Sequence, residues 1–266
     1  MDSHGNDDLA DFDRTEFTAQ GETKVVYRKG TGPGVVVMTE IPGITPEVAD
    51  FARKVADLGC TVAVPDLFGE AGKPMTNTYA ASSLMRACVS KKFHAFAVGR
   101  RSPVTDWLRA LARSLHDELG GPGVGAVGMC LTGGFALALM LDECMIAPVL
   151  SQPSLPLPVS GSRRRDLGIS DDDLRVVKER VDAGVCVLGL RFSEDPASPP
   201  QRFERLREEL GDGFVGIEID SSKGNPYGNE KMAHSVLTAD LVDTPGHPTR
   251  DALERVMDLF RERLLT

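Results

Sequence analysis

The chain has 266 residues, 41% of them hydrophobic, and its 30 basic and 39 acidic side chains give a net charge of −9. That is enough for one large globular domain or two small ones, and the acidic balance excludes a basic nucleic-acid footprint as a property of the whole chain. No apolar run approaches the roughly 20 residues that cross a bilayer, and the N-terminal Met1-Asp2-Ser3-His4-Gly5 lacks the basic and apolar blocks of a signal peptide. A cytoplasmic protein with neither a nucleic-acid nor a membrane partner is expected.

In chain order, residues 1–13 hold Asp2, Asp7, Asp8, Asp11 and Asp13 with few apolar groups. Such a segment buries too little surface to offset the entropy of ordering, which predicts a disordered acidic tail. Residues 14–266 are expected to form one domain. Glu16-Phe17-Thr18 and Lys24-Val25-Val26-Tyr27, separated by Gly21, read as an antiparallel hairpin at a sheet edge. Gly34 to Met38 is a β-branched run suited to a strand buried on both faces. Thr45 then caps a helix that opens on Pro46, carries Val48, Phe51, Ala52 and Val55 on one stripe, and ends at Gly59. Cys60 to Val64 is the next buried strand. The segment Phe68 to Val104 is hard to assign: glycines and Pro74, a helical stretch near Ala80 to Ala87, then Lys91-Lys92 and Arg100-Arg101. It reads as an insertion over a site or as a solvated excursion.

Downstream, Thr105 caps a helix running to Gly120, Gly123 to Val127 form a strand of small residues, Leu131 to Leu141 an apolar helix, and Met145 to Leu150 a strand. Asp171–Ala183, Pro199–Leu210 and Thr249–Leu265 read as helices, with Val185–Leu190 and Phe214–Ile219 as strands. This alternation predicts an α/β fold with a mostly parallel sheet and helices on both faces. Five dispersed cysteines (Cys60, Cys88, Cys130, Cys144, Cys186) include no C-x-x-C pair, so neither a disulfide framework nor a zinc site is indicated. No cluster of His, Asp and Glu has ligand spacing, and no cofactor is expected.

The sharpest local signal is Val127-Gly128-Met129-Cys130-Leu131-Thr132-Gly133-Gly134, where a strand turns abruptly into an apolar segment. A nucleophile on such an elbow is held above the sheet, and the amide that follows it can donate to an oxyanion. Cys130 is thus a candidate nucleophile, although a small buried cysteine also fits the pattern. Among five histidines, His4 and His116 read as solvated, His247 as a turn residue and His94 as part of the insertion. His234, after the Phe214–Ile219 strand, is the best-placed base. Asp195 follows the Val185–Leu190 strand and precedes Pro196, a turn that can aim a short carboxylate inward. Glu194 reads as solvated. The order Cys130, Asp195, His234 is that of the α/β-hydrolases.

Five segments, in order, resemble the dienelactone hydrolase family: Val36-Val37-Met38-Thr39-Glu40-Ile41-Pro42-Gly43, Cys60 to Phe68 with its Pro65-Asp66-Leu67, the Cys130 elbow, Arg191 to Asp195, and His234-Ser235. The resemblance extends from about Thr23 to His234. It implies an α/β-hydrolase fold and hydrolysis of a small ester or lactone through Cys130, His234 and Asp195. It also implies that Glu40 touches the resting thiol until substrate displaces it, and that the amides of Ile41 and Leu131 form the oxyanion hole. Two departures stand out. Thr132 replaces the usual glycine two residues after the nucleophile, and Ser235-Val236-Leu237-Thr238 lacks the arginine that members use to hold a substrate carboxylate. Arg86, Arg100, Arg101 and Arg191 are the candidate replacements. The alternatives are a weakly catalytic binding protein or thiol sensor on the same fold, and a glutamine amidotransferase, which the absence of a glutamate two residues after His234 disfavours. The oligomeric state is left open.

Overall fold

The computed structural model describes residues 5–76, 78–83, 102–154 and 161–266. Its eight strands are β1 (Asp13–Ala19), β2 (Glu22–Lys29), β3 (Gly34–Met38), β4 (Thr61–Pro65), β5 (Val124–Met129), β6 (Met145–Ser151), β7 (Val187–Phe192) and β8 (Phe214–Ile219). They form one sheet in the order β1-β2-β4-β3-β5-β6-β7-β8. The β1–β2 and β2–β4 pairs are antiparallel and the remaining pairs parallel. The edge hairpin and the parallel α/β architecture are those expected from the sequence.

The helices among the described residues include α1 (Pro46–Asp57), α2 (Pro103–Leu119), α3 (Phe135–Leu139), α4 (Gly161–Arg165), α5 (Asp171–Asp182), α6 (Pro200–Leu210) and α7 (Pro248–Leu264). Strand periodicity splits the core into two layers. Val35 and Val37 of β3 pack with Val48, Phe51 and Val55 of α1 and with Val256 and Phe260 of α7. Val36 and Met38 face the opposite layer, with Trp107, Leu108 and Leu111 of α2, Phe135 of α3 and Phe203 of α6.

Three sequence expectations need correction. The acidic tail is packed from Asp7 onward. Leu9 and Phe12 are buried at 4% and 7% exposure, the Asp7 amide donates to Gly72 O at 2.8 Å, and Asp7 and Asp11 both pair with Arg53 at 2.7 and 2.8 Å. The acidic residues that suggested disorder are the ones that moor the segment. Ser102, not Thr105, caps α2; the two side chains form a reciprocal capping box, with Thr105 Oγ1 accepting from the Ser102 amide at 3.3 Å. The apolar run Leu131–Leu141 is not one helix but a 3₁₀ turn (Cys130–Thr132) followed by the five-residue α3. Apolar on every side, it carries no periodicity from which its length could be judged. Of the helical stretch near Ala80 to Ala87, residues 80–83 are described and helical; the rest lies outside the described residues, as do His94, Lys91, Lys92, Arg86, Arg100 and Arg101. Among the described residues no helix is long and apolar enough to cross a membrane.

Candidate active site

In a parallel sheet, functional groups gather at the carboxyl ends of the strands, where the strand order reverses. Here β3 ends into Thr39-Glu40-Ile41, β5 into Cys130, β6 into Gln152 and β7 into the Ser193–Asp195 loop; His234 stands on the long connection between β8 and α7.

Cys130 has φ +52°, a left-handed conformation that L-residues rarely adopt. Its surroundings over-determine the turn. A Cβ on Gly128 would lie 2.3 Å from Thr132 O, and one on Gly133 would lie 2.5 Å from Pro153 Cα. Both positions require glycine because strand, turn and the 152–154 segment meet there. Cys130 O accepts from the amides of Gly133 at 2.9 Å and Ser154 at 2.8 Å. Thr132 does not disturb the elbow. Its buried hydroxyl accepts from the Met129 amide at 2.9 Å and donates to Met38 O at 2.8 Å, tying the turn to the end of β3.

The His234 ring bonds through Nδ1 to Asp195 Oδ2 at 2.7 Å, which leaves Nε2 for the sulfur. Burial works against the charged ring, but interaction with Cys130 and with the Asp195 carboxylate, by charge and hydrogen bonding, raises its pKa well above the ordinary value. Asp195 is 3% exposed, and its other oxygen accepts from the Ala197 amide at 2.9 Å. The amides of His234 and Ser235 both donate to Asp240 Oδ2 at 2.8 Å, which fixes the backbone that carries the ring.

Two buried arginines brace this end of the sheet. Arg191, 1% exposed, donates to Ser198 O at 2.7 Å and Ser193 O at 2.9 Å and pairs with Glu218, so it holds the Asp195 loop from both sides. Its guanidinium is spent inside the protein, which corrects its candidacy as a substrate-anion partner. Arg202 donates to the carbonyls of Pro153, Arg163 and Asp166. Burial pushes its pKa down to about 10, against the nearby charges of Asp166 and Asp195.

Ile41, Leu67 and Cys130 pack against Leu131 and Phe68, forming a small apolar wall beside the sulfur. The Leu131 amide lies in the first turn of the 3₁₀ segment, where no acceptor within that turn is available. Glu40 departs from what the resemblance implies. It is 5% exposed, and among the described residues its hydrogen-bond partners are Ser235 Oγ at 2.7 Å, Gln152 Nε2 at 3.1 Å and Thr238 Oγ1, not the thiol. A buried carboxylate needs donors, and three neutral side chains supply them.

A model of the dienelactone hydrolase family matches residues 22–155, just over half of the chain. The chain belongs to the dienelactone hydrolase family. Carboxymethylenebutenolidase from Rhodococcus opacus is 29% identical over 108 residues, covering 41% of this chain and 38% of that protein. The match therefore spans well under half of that relative's length. A Klebsiella pneumoniae protein assigned to the dienelactone hydrolases has a solved structure that superposes with a TM-score of 0.63 at 19% identity, covering 94% of this chain and 98% of the other. A dienelactone hydrolase-like promiscuous phosphotriesterase from metagenomic libraries gives 0.59 at 18% identity, with 95% and 98% covered. These likenesses show that the sheet is the α/β-hydrolase fold of dienelactone hydrolases. Sequence reading missed Gln152, Thr238, Asp240 and Arg202. The signal for Gln152 was its place at the carboxyl end of a strand, hidden because that strand was ended at Leu150. Thr238 lies in the stretch Ser235-Val236-Leu237-Thr238, which the sequence marks only by its lack of an arginine.

Proposed function

We propose that the protein is a cysteine hydrolase of small carboxylic esters or lactones, with Cys130 as nucleophile, His234 as general base and acid, and Asp195 as the group that orients the ring. The observation that carries this reading is the 2.7 Å bond between His234 Nδ1 and Asp195, made beside a cysteine held in a left-handed elbow turn. The Cys130 sulfur attacks the acyl carbon as its proton passes to His234 Nε2. The carbonyl π electrons move onto oxygen, where the amides of Ile41 and Leu131 receive the oxyanion. The tetrahedral adduct collapses, the C–O bond to the leaving group breaks, and His234 returns its proton to the departing alkoxide, leaving a thioester. Water then attacks the thioester with His234 accepting its proton, and the C–S bond breaks to give the carboxylic acid and the thiol. The apolar wall of Ile41, Leu67, Phe68 and Leu131 favours a substrate with a hydrocarbon face at the reacting carbonyl.

The test is turnover of a panel of short aryl esters and lactones by wild type, Cys130→Ala and Cys130→Ser. Hydrolysis by wild type, with loss of turnover in both folded variants, supports the reading. A Cys130→Ala protein that works at the wild-type rate would falsify it.

A further inference from the structure

Glu40 is an unusual carboxylate for a site that depends on a thiolate, because a negative charge against the sulfur would oppose ionisation. In this chain it is tied down elsewhere. Ser235 and Thr238, flanking the short stretch after His234, both donate to it, and Gln152 donates from the end of β6. Gln152 is fully buried and sits at φ +36°, a strained conformation for a non-glycine residue. That conformation turns its amide into the network: Oε1 accepts from Ser151 Oγ and, at 3.4 Å, from the Val236 amide. Gln152 O also accepts from Ser154 Oγ at 3.0 Å, and the Ser154 amide in turn bonds Cys130 O. One buried chain of hydrogen bonds thus connects the end of β3, the turn that carries the nucleophile and the loop that carries the base.

Resting on the hydrolase reading, we propose that Glu40 is a positioning residue: locked by Gln152, Ser235 and Thr238, it fixes the His234 loop relative to the turn that carries Cys130 in the free enzyme, without substrate having to displace the glutamate. Thr238 holds the carboxylate through an uncharged hydroxyl on the His234 loop. The charged groups that bear on the pair are then Asp195 on the β7 loop, Asp240 beneath the His234 amide, Glu40 in the network, and Arg202 behind Asp195.

The experiment is alkylation of Cys130 by iodoacetamide in the substrate-free protein, followed across pH by the mass of the Cys130 peptide. Wild type sets the reference rate at each pH. Glu40→Gln should react more slowly, with kcat for an aryl ester lowered by about 10²-fold and KM little changed, as for a base displaced from its line of approach. Thr238→Val, which keeps the side-chain shape, should lower both rates in the same direction, and adding it to Glu40→Gln should cost less than the product of the single effects. It also covers the case in which Glu40→Gln fails to fold. Alkylation of Glu40→Gln at or above the wild-type rate, or a Thr238→Val protein with wild-type kcat, overturns the proposal. The alkylation comparison needs no turnover, so it fails or succeeds separately from the hydrolase reading, which stands or falls on Cys130→Ser.

Discussion

Replacing Thr132 by valine tests how the elbow is held. The two side chains are nearly the same shape, so the change removes one hydroxyl from a position with no exposure. That hydroxyl accepts from the Met129 amide at 2.9 Å and donates to Met38 O at 2.8 Å, with Met129 O at 2.9 Å as a second acceptor. Valine leaves a buried donor and a buried acceptor unpaired, at about 1–3 kcal/mol for each group, or about 2–6 kcal/mol together. For a chain of this size each kcal/mol lowers Tm by roughly 2–4 °C, so Thr132→Val should melt about 4–24 °C below wild type. Thr132→Ser keeps the hydroxyl and loses only a buried methyl, worth about 1 kcal/mol. Calorimetry of the three proteins gives the comparison, and aryl-ester turnover below the transition shows whether Cys130 has shifted. A Thr132→Val protein as stable as wild type, or less damaged than Thr132→Ser, would refute the claim that this hydroxyl fastens the Cys130 turn to β3.

Asp195→Asn should lower kcat by about 10³–10⁴-fold while leaving the fold intact, as expected when a base loses the group that sets its tautomer. In the same variant the His234 ring, followed by NMR, should titrate at a lower pH than in wild type. Because the folded-state pKa of His234 is raised above the unfolded value of about 6.5, its contribution to stability is complete below that pH and is lost as pH rises through the folded value. Denaturant titrations at stepped pH should show a smaller loss of this kind in Asp195→Asn. Arg191→Gln should reduce kcat for neutral and anionic esters alike, since the guanidinium braces the acid loop; a rise in KM confined to anionic substrates would instead assign it to substrate binding. Phe12→Ala should destabilise by about 3 kcal/mol in urea unfolding, because Phe12 is buried beneath Lys29 and Arg53; no change would return the segment to a frayed tail.

The strands of the sheet centre were readable because burial on both faces leaves continuous β-branched runs such as Val35-Val36-Val37, with glycine or proline at their ends. The elbow was readable for a related reason: the closeness of strand and turn forces glycine at Gly128 and Gly133, so the geometry is written in residue type. The N-terminal segment was misjudged because its mooring is long-range. Nothing near Asp7 or Asp11 announces Arg53, more than forty residues away, and two buried side chains, Leu9 and Phe12, are too few to form a pattern. Glu40 was recognised as a site residue but given the wrong neighbour for the same cause. Its three donors come from the residue after β6 and from the His234 loop, and a carboxylate surrounded by Gln, Ser and Thr has no local sequence signature. Arg191 and Arg202 look like surface cations in sequence, yet each is consumed by carbonyls that only the folded chain brings together.

The most direct measurement of the mechanism is rapid mixing of the protein with a chromogenic aryl ester, with leaving-group release followed in milliseconds and the acylated peptide identified by mass. The expected result is a burst stoichiometric with protein, the acyl group on the peptide containing Cys130, and no burst from Cys130→Ala. Leaving-group release without an adduct at Cys130, or an unchanged burst in the variant, would contradict covalent catalysis by this cysteine.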